Sequence, residues 1–140
     1  MKKVILRGTA AGLIMGIALF IVGAIAARII YGQQMVPEGK FEPEQINALY
    51  FLWTKLLIGI FFGIIFTLIY SKFHTLMNSP GIIKGLLFSI ILWLIISLWA
   101  ISHPLVYEDG IANKNQLFWH IYTLGGFLAY GISIGLIYKK

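Results

Sequence analysis

Residues 8–27 read GTAAGLIMGIALFIVGAIAA, an uncharged run of 20 residues closed on one side by Arg7 and on the other by Arg28. A helix needs about 20 apolar residues to cross roughly 30 Å of hydrocarbon, so this segment predicts a transmembrane helix. Three more runs follow: about 46–71, uncharged except for Lys55; 85–102; and 117–138, interrupted only by His120. Lipid offers the backbone no hydrogen-bond partner, and none of the four runs alternates as a barrel strand does, so all four are expected to be helices. The expected fold is an all-α membrane protein, a single four-helix transmembrane domain over residues 1–140. Its spans fall at about 8–30, 46–71, 83–103 and 116–138.

Composition leads to the same class. The 140 residues are 59% hydrophobic and 11% charged, with a mean hydropathy of +0.88, whereas a soluble domain carries about 25% charged residues. Cysteine is absent, which excludes a disulfide scaffold, a thiolate metal site, an iron–sulfur cluster and a cysteine nucleophile. A formal charge of +6 does not imply nucleic acid, because the cations stand in ones and twos beside apolar runs instead of forming a stripe. A cleavable signal peptide is the competing reading of the start, with Lys2 and Lys3 before an apolar run and Ala24-Ile25-Ala26 as a cleavage motif. The run is longer than a usual signal core, so a retained span is expected.

Charge gives the orientation. Alternate connections place Lys2, Lys3, Arg7, Lys72, Lys84, Lys139 and Lys140 on one side, with no acid. The other side receives Arg28, Lys40 and Lys114 with all five acids, Glu38, Glu42, Glu44, Glu108 and Asp109. The positive-inside rule then puts both termini in the cytoplasm, in the cell (inner) membrane. Lys55 fits this orientation, since its stem can snorkel outward from the second helix.

Boundary signals agree. Pro43 is expected near the first turn of helix two, with Glu42 and Glu44 beside its positive dipole end. Ser79-Pro80-Gly81 breaks the chain before helix three, His103 before Pro104 is expected to end that helix, Asp109-Gly110 makes a turn, and Asn113 or Asn115 caps helix four. Tyr50, Trp53, Trp99, Tyr107 and Trp119 form an outer aromatic belt, and Tyr70 and Tyr138 an inner one.

Helices two and four repeat one another at an offset of 68 residues: Gly63, Ile64, Leu68, Ile69, Tyr70 and Lys72 align with Gly131, Ile132, Leu136, Ile137, Tyr138 and Lys140. Helices one and three both begin with a basic residue and a glycine, Arg7-Gly8 and Lys84-Gly85. The chain thus reads as two tandem helical hairpins in the same orientation, a parallel repeat with its pseudo-twofold axis along the membrane normal. Gly8, Gly12 and Gly16 form a small-residue ladder, with Gly23 and Ala27 on the same stripe, and Gly59 with Gly63 and Gly131 with Gly135 repeat the spacing. These ladders are expected to be helix-packing faces, and one left over on helix one would be free to meet a partner.

Few residues offer chemistry. His120 lies within about 20° of Gly131 around its helix and so points toward the packed side. Lys55 leans the same way, four residues before Gly59, while Arg28 and His103 end their helices at a similar depth. Arg28, Lys55, His103 and His120 are therefore the candidate outer-half polar site, with Glu108 or Asp109 as loop neighbours; snorkelling cations and an anchored histidine are the structural alternative. No metal-ligand spacing, nucleophile elbow or phosphate loop occurs, and no span contains an acid to relay protons. Neither a catalytic residue, a metal nor a cofactor is expected, and the protein reads as a non-enzyme.

The fourth helix, from Trp119-His120 through Tyr130-Gly131 to Gly135-Leu136-Ile137-Tyr138, together with the Arg7-Gly8 and Lys84-Gly85 starts, resembles small uncharacterised four-helix prokaryotic inner-membrane proteins of the YagU kind. That resemblance implies an inner-membrane location and supplies no site residue. Three functions fit the sequence. The first is an accessory or structural subunit packing against a larger membrane complex, its partners being the lipid bilayer and other membrane subunits or a second copy. The second is a small homo-oligomeric transporter or channel for an anionic or small solute. The third is a quinone, haem or metal site near the outer surface.

Overall fold

The computed structural model describes the backbone of residues 1–32, 48–106 and 114–138, and the side chains of these residues except 48, 99–106, 114 and 115. Among these residues are four helices, α1 (Lys2–Tyr31), α2 (Ala48–Phe73), α3 (Gly81–Val106) and α4 (Lys114–Ile137), and a 3₁₀ turn at His74–Leu76. Each helix includes a segment long and apolar enough to cross a membrane, and the chain is an all-α, multi-pass membrane protein in layout.

The helices run past several of the boundaries that apolar runs suggest. α1 starts at Lys2 rather than near Gly8, because helical backbone hydrogen bonding does not require apolar side chains and continues through a charged first turn. α3 does not end at His103 but continues to Val106; Pro104 falls in its last turn, where it removes one backbone donor while its fixed φ stays helical. Asn115 lies inside α4 and is not its cap. Gly32 terminates α1 with φ 73°, a conformation that side chains with a Cβ rarely adopt. Pro43, Tyr107, the acids of both connections, Asp109-Gly110 and Asn113 lie outside the described residues.

Close backbone approach sets the topology. A Cβ built on Gly8 would stand 2.7 Å from the Cα of Ile64, and one on Gly16 would stand 2.7 Å from the carbonyl oxygen of Lys55. Between them, Gly12 faces the carbonyl of Gly59 and the Cα of Ile60. α1 and α2 are therefore antiparallel and in backbone contact along the whole ladder. Gly85 meets Gly131 and Gly135 in the same manner, and Gly135 meets Gly81 and Ile82, which makes α3 and α4 a second antiparallel pair.

The two pairs are joined differently. Leu19 of α1 sets its side chain into Gly126 of α4, and Val22 packs on Gly125, 2.8 Å from where a Cβ would sit. α1 thus packs closely on both α2 and α4, while α2 reaches α3 and α4 through large side chains: Phe66 to Phe127, and Tyr70 to Phe88, with centroids 5.5 and 5.1 Å apart. The result is an up-down-up-down bundle. The starts of α1 and α3 gather with the ends of α2 and α4, so Arg7, Lys72 and Lys84 share one end, called here the basic end.

The core lies in the half of the bundle toward that end. Phe66, Tyr70, Phe88, Phe127, Tyr130 and Ile134 are buried there together with Ala11, Met15 and Leu19. Tyr70 is fully buried, not a lipid-facing belt residue, because its face of α2 turns to α3 and α4. One pair of buried polar groups in this core is matched: Thr67 Oγ1 and the Tyr130 hydroxyl lie 2.9 Å apart. In lipid the alternative to such a pair is an unsatisfied hydroxyl, so the bond fixes the facing of α2 and α4.

Candidate functional site

Of the outer-half residues singled out from sequence, Arg28, Lys55 and His120 have described side chains, and these face different neighbours. Arg28 is exposed in the last turn of α1. Lys55 is half-buried, with its Nζ 4.9 Å from the ring centroid of Phe51, one turn back toward the start of α2, and 4.7 Å from that of Tyr122. Its ammonium lies against two aromatic faces. His120 turns to another flank of α4, edge-on to Trp93 at 6.2 Å and to Trp119 at 5.1 Å. Beside it, Trp93 Nε1 donates to Thr123 Oγ1 at 3.2 Å, and that hydroxyl donates in turn to the Trp119 carbonyl at 2.6 Å. His120 Nδ1 is buried and has no partner among the described residues. The side chain of His103 lies outside the described residues, as do Glu108 and Asp109.

A cleft of about 190 Å³ opens beside Lys55, lined by Met15, Leu19, Ile58, Phe62, Trp119 and Tyr122 among others. It is an apolar space with one cation at its edge. Its shape follows from the glycines: Gly125 and Gly126 draw α4 onto α1, while Ile58 and Phe62 on α2 carry full side chains and hold α2 off.

A larger cavity, about 430 Å³, lies at the basic end and was not legible from sequence. Arg7, Lys84 and His74 line it, with Tyr70, Tyr138, Thr75 and Ser79. α1 delivers Arg7, whose guanidinium carbon is 4.5 Å from the ring centroid of Tyr138. The break at Ser79-Pro80-Gly81 turns α3 back so that Lys84 Nζ donates to the His74 carbonyl at 3.2 Å, bridging the start of α3 to the turn after α2. His74 stacks on Tyr70 at 5.7 Å and meets Tyr138 edge-on at 5.1 Å. Its Nδ1 lies 3.0 Å from the Ser71 carbonyl; a carbonyl only accepts, so Nδ1 carries the proton. The hydroxyls of Tyr70 and Tyr138 are both buried without a partner among the described residues.

The signal for this cavity was present but divided. In the sequence Tyr70 and Tyr138 read as equivalent repeat positions and as belt residues, and Lys84 and Arg7 as orientation charges; only the tertiary fold shows that one space joins them. The described residues contain no group of three or more His, Asp or Glu side chains placed to hold a metal ion. No protein-family model, no curated protein and no solved structure matches this chain.

Proposed function

We propose that the chain is a non-enzymatic integral membrane protein of the cell (inner) membrane, both termini cytoplasmic, acting as an accessory or structural subunit beside a larger membrane complex. One observation carries this reading: the glycine ladders and the paired hydroxyls are used inside the bundle, while broad apolar faces remain on its outside. α3 is the clearest case. Ile83, Leu87, Ile91, Leu94, Ile95 and Leu98 are exposed along it, a stripe at helical spacing on a helix that packs closely on one neighbour, α4. The partner contact is therefore drawn from α3, because the ladder on α1 lies against α2 and is not spare.

Two tandem hairpins remain the proposed origin of the fold. In support, Gly8 meets Gly63 as Gly85 meets Gly131, which are equivalent pairs under the alignment of helix starts and the 68-residue offset. Tyr70 and Tyr138, also equivalent, touch with centroids 5.3 Å apart, as residues flanking a pseudo-twofold axis would. The close approach of α1 to α4 has no counterpart of that kind between α3 and α2, where Leu57 and Ile58 stand in place of Gly125 and Gly126.

The test places a photoreactive side chain at Ile95 in membranes. A single adduct with a different membrane protein, retained as a complex of one mass in mild detergent, is the expected result. An adduct with a second copy would favour the homo-oligomeric transporter, for which the Lys55 cleft is the supporting feature. Adducts with lipid alone would remove the subunit reading.

A further inference from the structure

We infer that the cavity at the basic end is an anion site that takes a phosphate group, the chemistry shared by inorganic phosphate and the headgroup of an anionic phospholipid. The inference is independent of the accessory role and of which way the bundle faces.

Three observations converge. The first is charge. Arg7 and Lys84 face the same space from different helices, and the chain's five acids all belong to segments 38–44 and 108–109, far along the sequence from every lining residue's helix turn. The two cations are thus not matched by a carboxylate of their own elements. Structural pairing would place an acid beside them; here Arg7 rests over a ring and Lys84 donates to a backbone carbonyl. A lysine ammonium has three donors and an arginine guanidinium five, so both keep donors beyond those contacts.

The second is the pair of tyrosine hydroxyls. Tyr70 is 0% exposed and its hydroxyl has no partner among the described residues; the Tyr138 hydroxyl is likewise buried and unpartnered. A buried hydroxyl without a partner is unfavourable by an amount comparable to a lost hydrogen bond, and a phosphate oxygen is an acceptor that both could donate to. Thr67 supplies such a partner to Tyr130 one layer deeper. Tyr70 lines the cavity, and no acceptor for its hydroxyl is present among the described residues.

The third is size and depth. A volume of about 430 Å³ exceeds what a phosphate group needs and leaves room for a glycerol backbone. Its walls join the last turns of α2 and α4 to the first turns of α1 and α3, the depth at which lipid headgroups lie.

Thermal unfolding of the purified chain in an uncharged maltoside detergent tests the assignment. Sodium phosphate is titrated against sodium chloride of equal ionic strength, and dihexanoyl phosphatidylglycerol against dihexanoyl phosphatidylcholine. Wild type should gain a saturable rise in Tm with phosphate, with phosphatidylglycerol, or with both. A response to phosphate alone assigns a soluble anion, and one to the lipid alone assigns a headgroup. Tyr70→Phe removes one hydroxyl from a packed ring and should weaken the response about tenfold, as loss of a hydrogen bond to a charged group does; Lys84→Gln should do likewise. Lys2→Gln with Lys3→Gln, outside the cavity, should leave it unchanged. If neither ligand raises Tm in wild type, or if Tyr70→Phe responds as wild type does, the inference fails; should Lys84→Gln not fold, the Tyr70→Phe result decides.

Discussion

A threonine and a tyrosine show how little freedom a buried hydroxyl has in lipid. Thr67 and Tyr130 are each fully buried, and each hydroxyl has the other within 2.9 Å. Thr67→Val keeps the shape and leaves the tyrosine hydroxyl alone; Tyr130→Phe leaves the threonine, which can turn back to its own helix carbonyl. Thr67→Val should therefore lower stability by about 1 kcal/mol, near the middle of the range for interhelical hydrogen bonds in membranes, and Tyr130→Phe by less. The double variant should recover part of the loss, since no hydroxyl is then stranded. Reversible unfolding by added denaturing detergent, run on all four chains, checks the cycle; additive losses would mean the two hydroxyls do not interact. His120 is the opposite case, a ring whose Nδ1 is buried with no partner among the described residues. His120→Phe keeps the edge contacts with Trp93 and Trp119 and removes that nitrogen, so the variant should be at least as stable as wild type by the same measurement. A clear loss of stability would show that the nitrogen has a partner of its own. Sequence could place His120 on a packed flank, because angular position around a helix follows from spacing alone. It could not tell that Lys55 faces Tyr122 on a different flank, because two residues that both point inward need not point at each other.

Helices in lipid have no hydrophobic force pressing them together, so the closeness of the backbones determines which pairs form. Along α1 and α2 the approach is so close that a methyl group on Gly12 would fall on the Gly59 carbonyl, whereas one on Gly23 would meet Tyr122 at an ordinary 3.9 Å. Gly12→Ala should therefore part α1 from α2 and cost roughly 1–3 kcal/mol, the usual range for overpacking. Gly23→Ala should be nearly neutral. Comparing their unfolding midpoints tests the seam directly, and equal effects would mean that the α1–α2 approach is not as tight as described. The spans themselves were readable because 20 apolar residues between charges have few alternatives in any fold. The ladders are readable where both glycines fall inside an apolar run: Gly81 and Gly85 keep the same spacing on α3, but from sequence Gly81 belongs to the Ser79-Pro80-Gly81 break, so that face is not legible. Tyr70 was misplaced for a related reason. A tyrosine near a helix end suits a lipid interface and a polar-rimmed core equally well, and which it occupies is set by the neighbours of that face, not by the helix.

At the scale of the whole molecule the bundle is polar in charge as well as in topology. Arg7, Lys72 and Lys84 lie at the end where α1 and α3 start, and Lys2 and Lys3 occupy the first turn of α1 at that same end. The adjoining residues 139 and 140 are both lysine, while the connections at the far end contain all five acids. Basic residues near the ends of spans resist translocation, whereas acids contribute little, so the basic end should remain in the cytoplasm. A reporter that works only in the cytoplasm should be active when fused after Lys140 and silent when inserted at Lys40. Lys72→Gln with Lys84→Gln tests the cause as well as the outcome. Five of the seven cations on that side would remain against three on the other, counted from the sequence, so orientation should hold; adding four lysines to the Lys40 connection as well should reverse the imbalance and yield a mixed or inverted population. A wild-type chain with the reverse reporter pattern would turn the bundle over. Activity that stays cytoplasmic after all six changes would show that something other than loop charge, such as the early pairing of α1 with α2 along their glycines, fixes the orientation. The two causes differ in one further respect. Charge acts as each span enters the membrane, whereas the seam acts only once both helices are in place, so Gly12→Ala should leave the reporter pattern of the wild-type loops unchanged if charge is the cause.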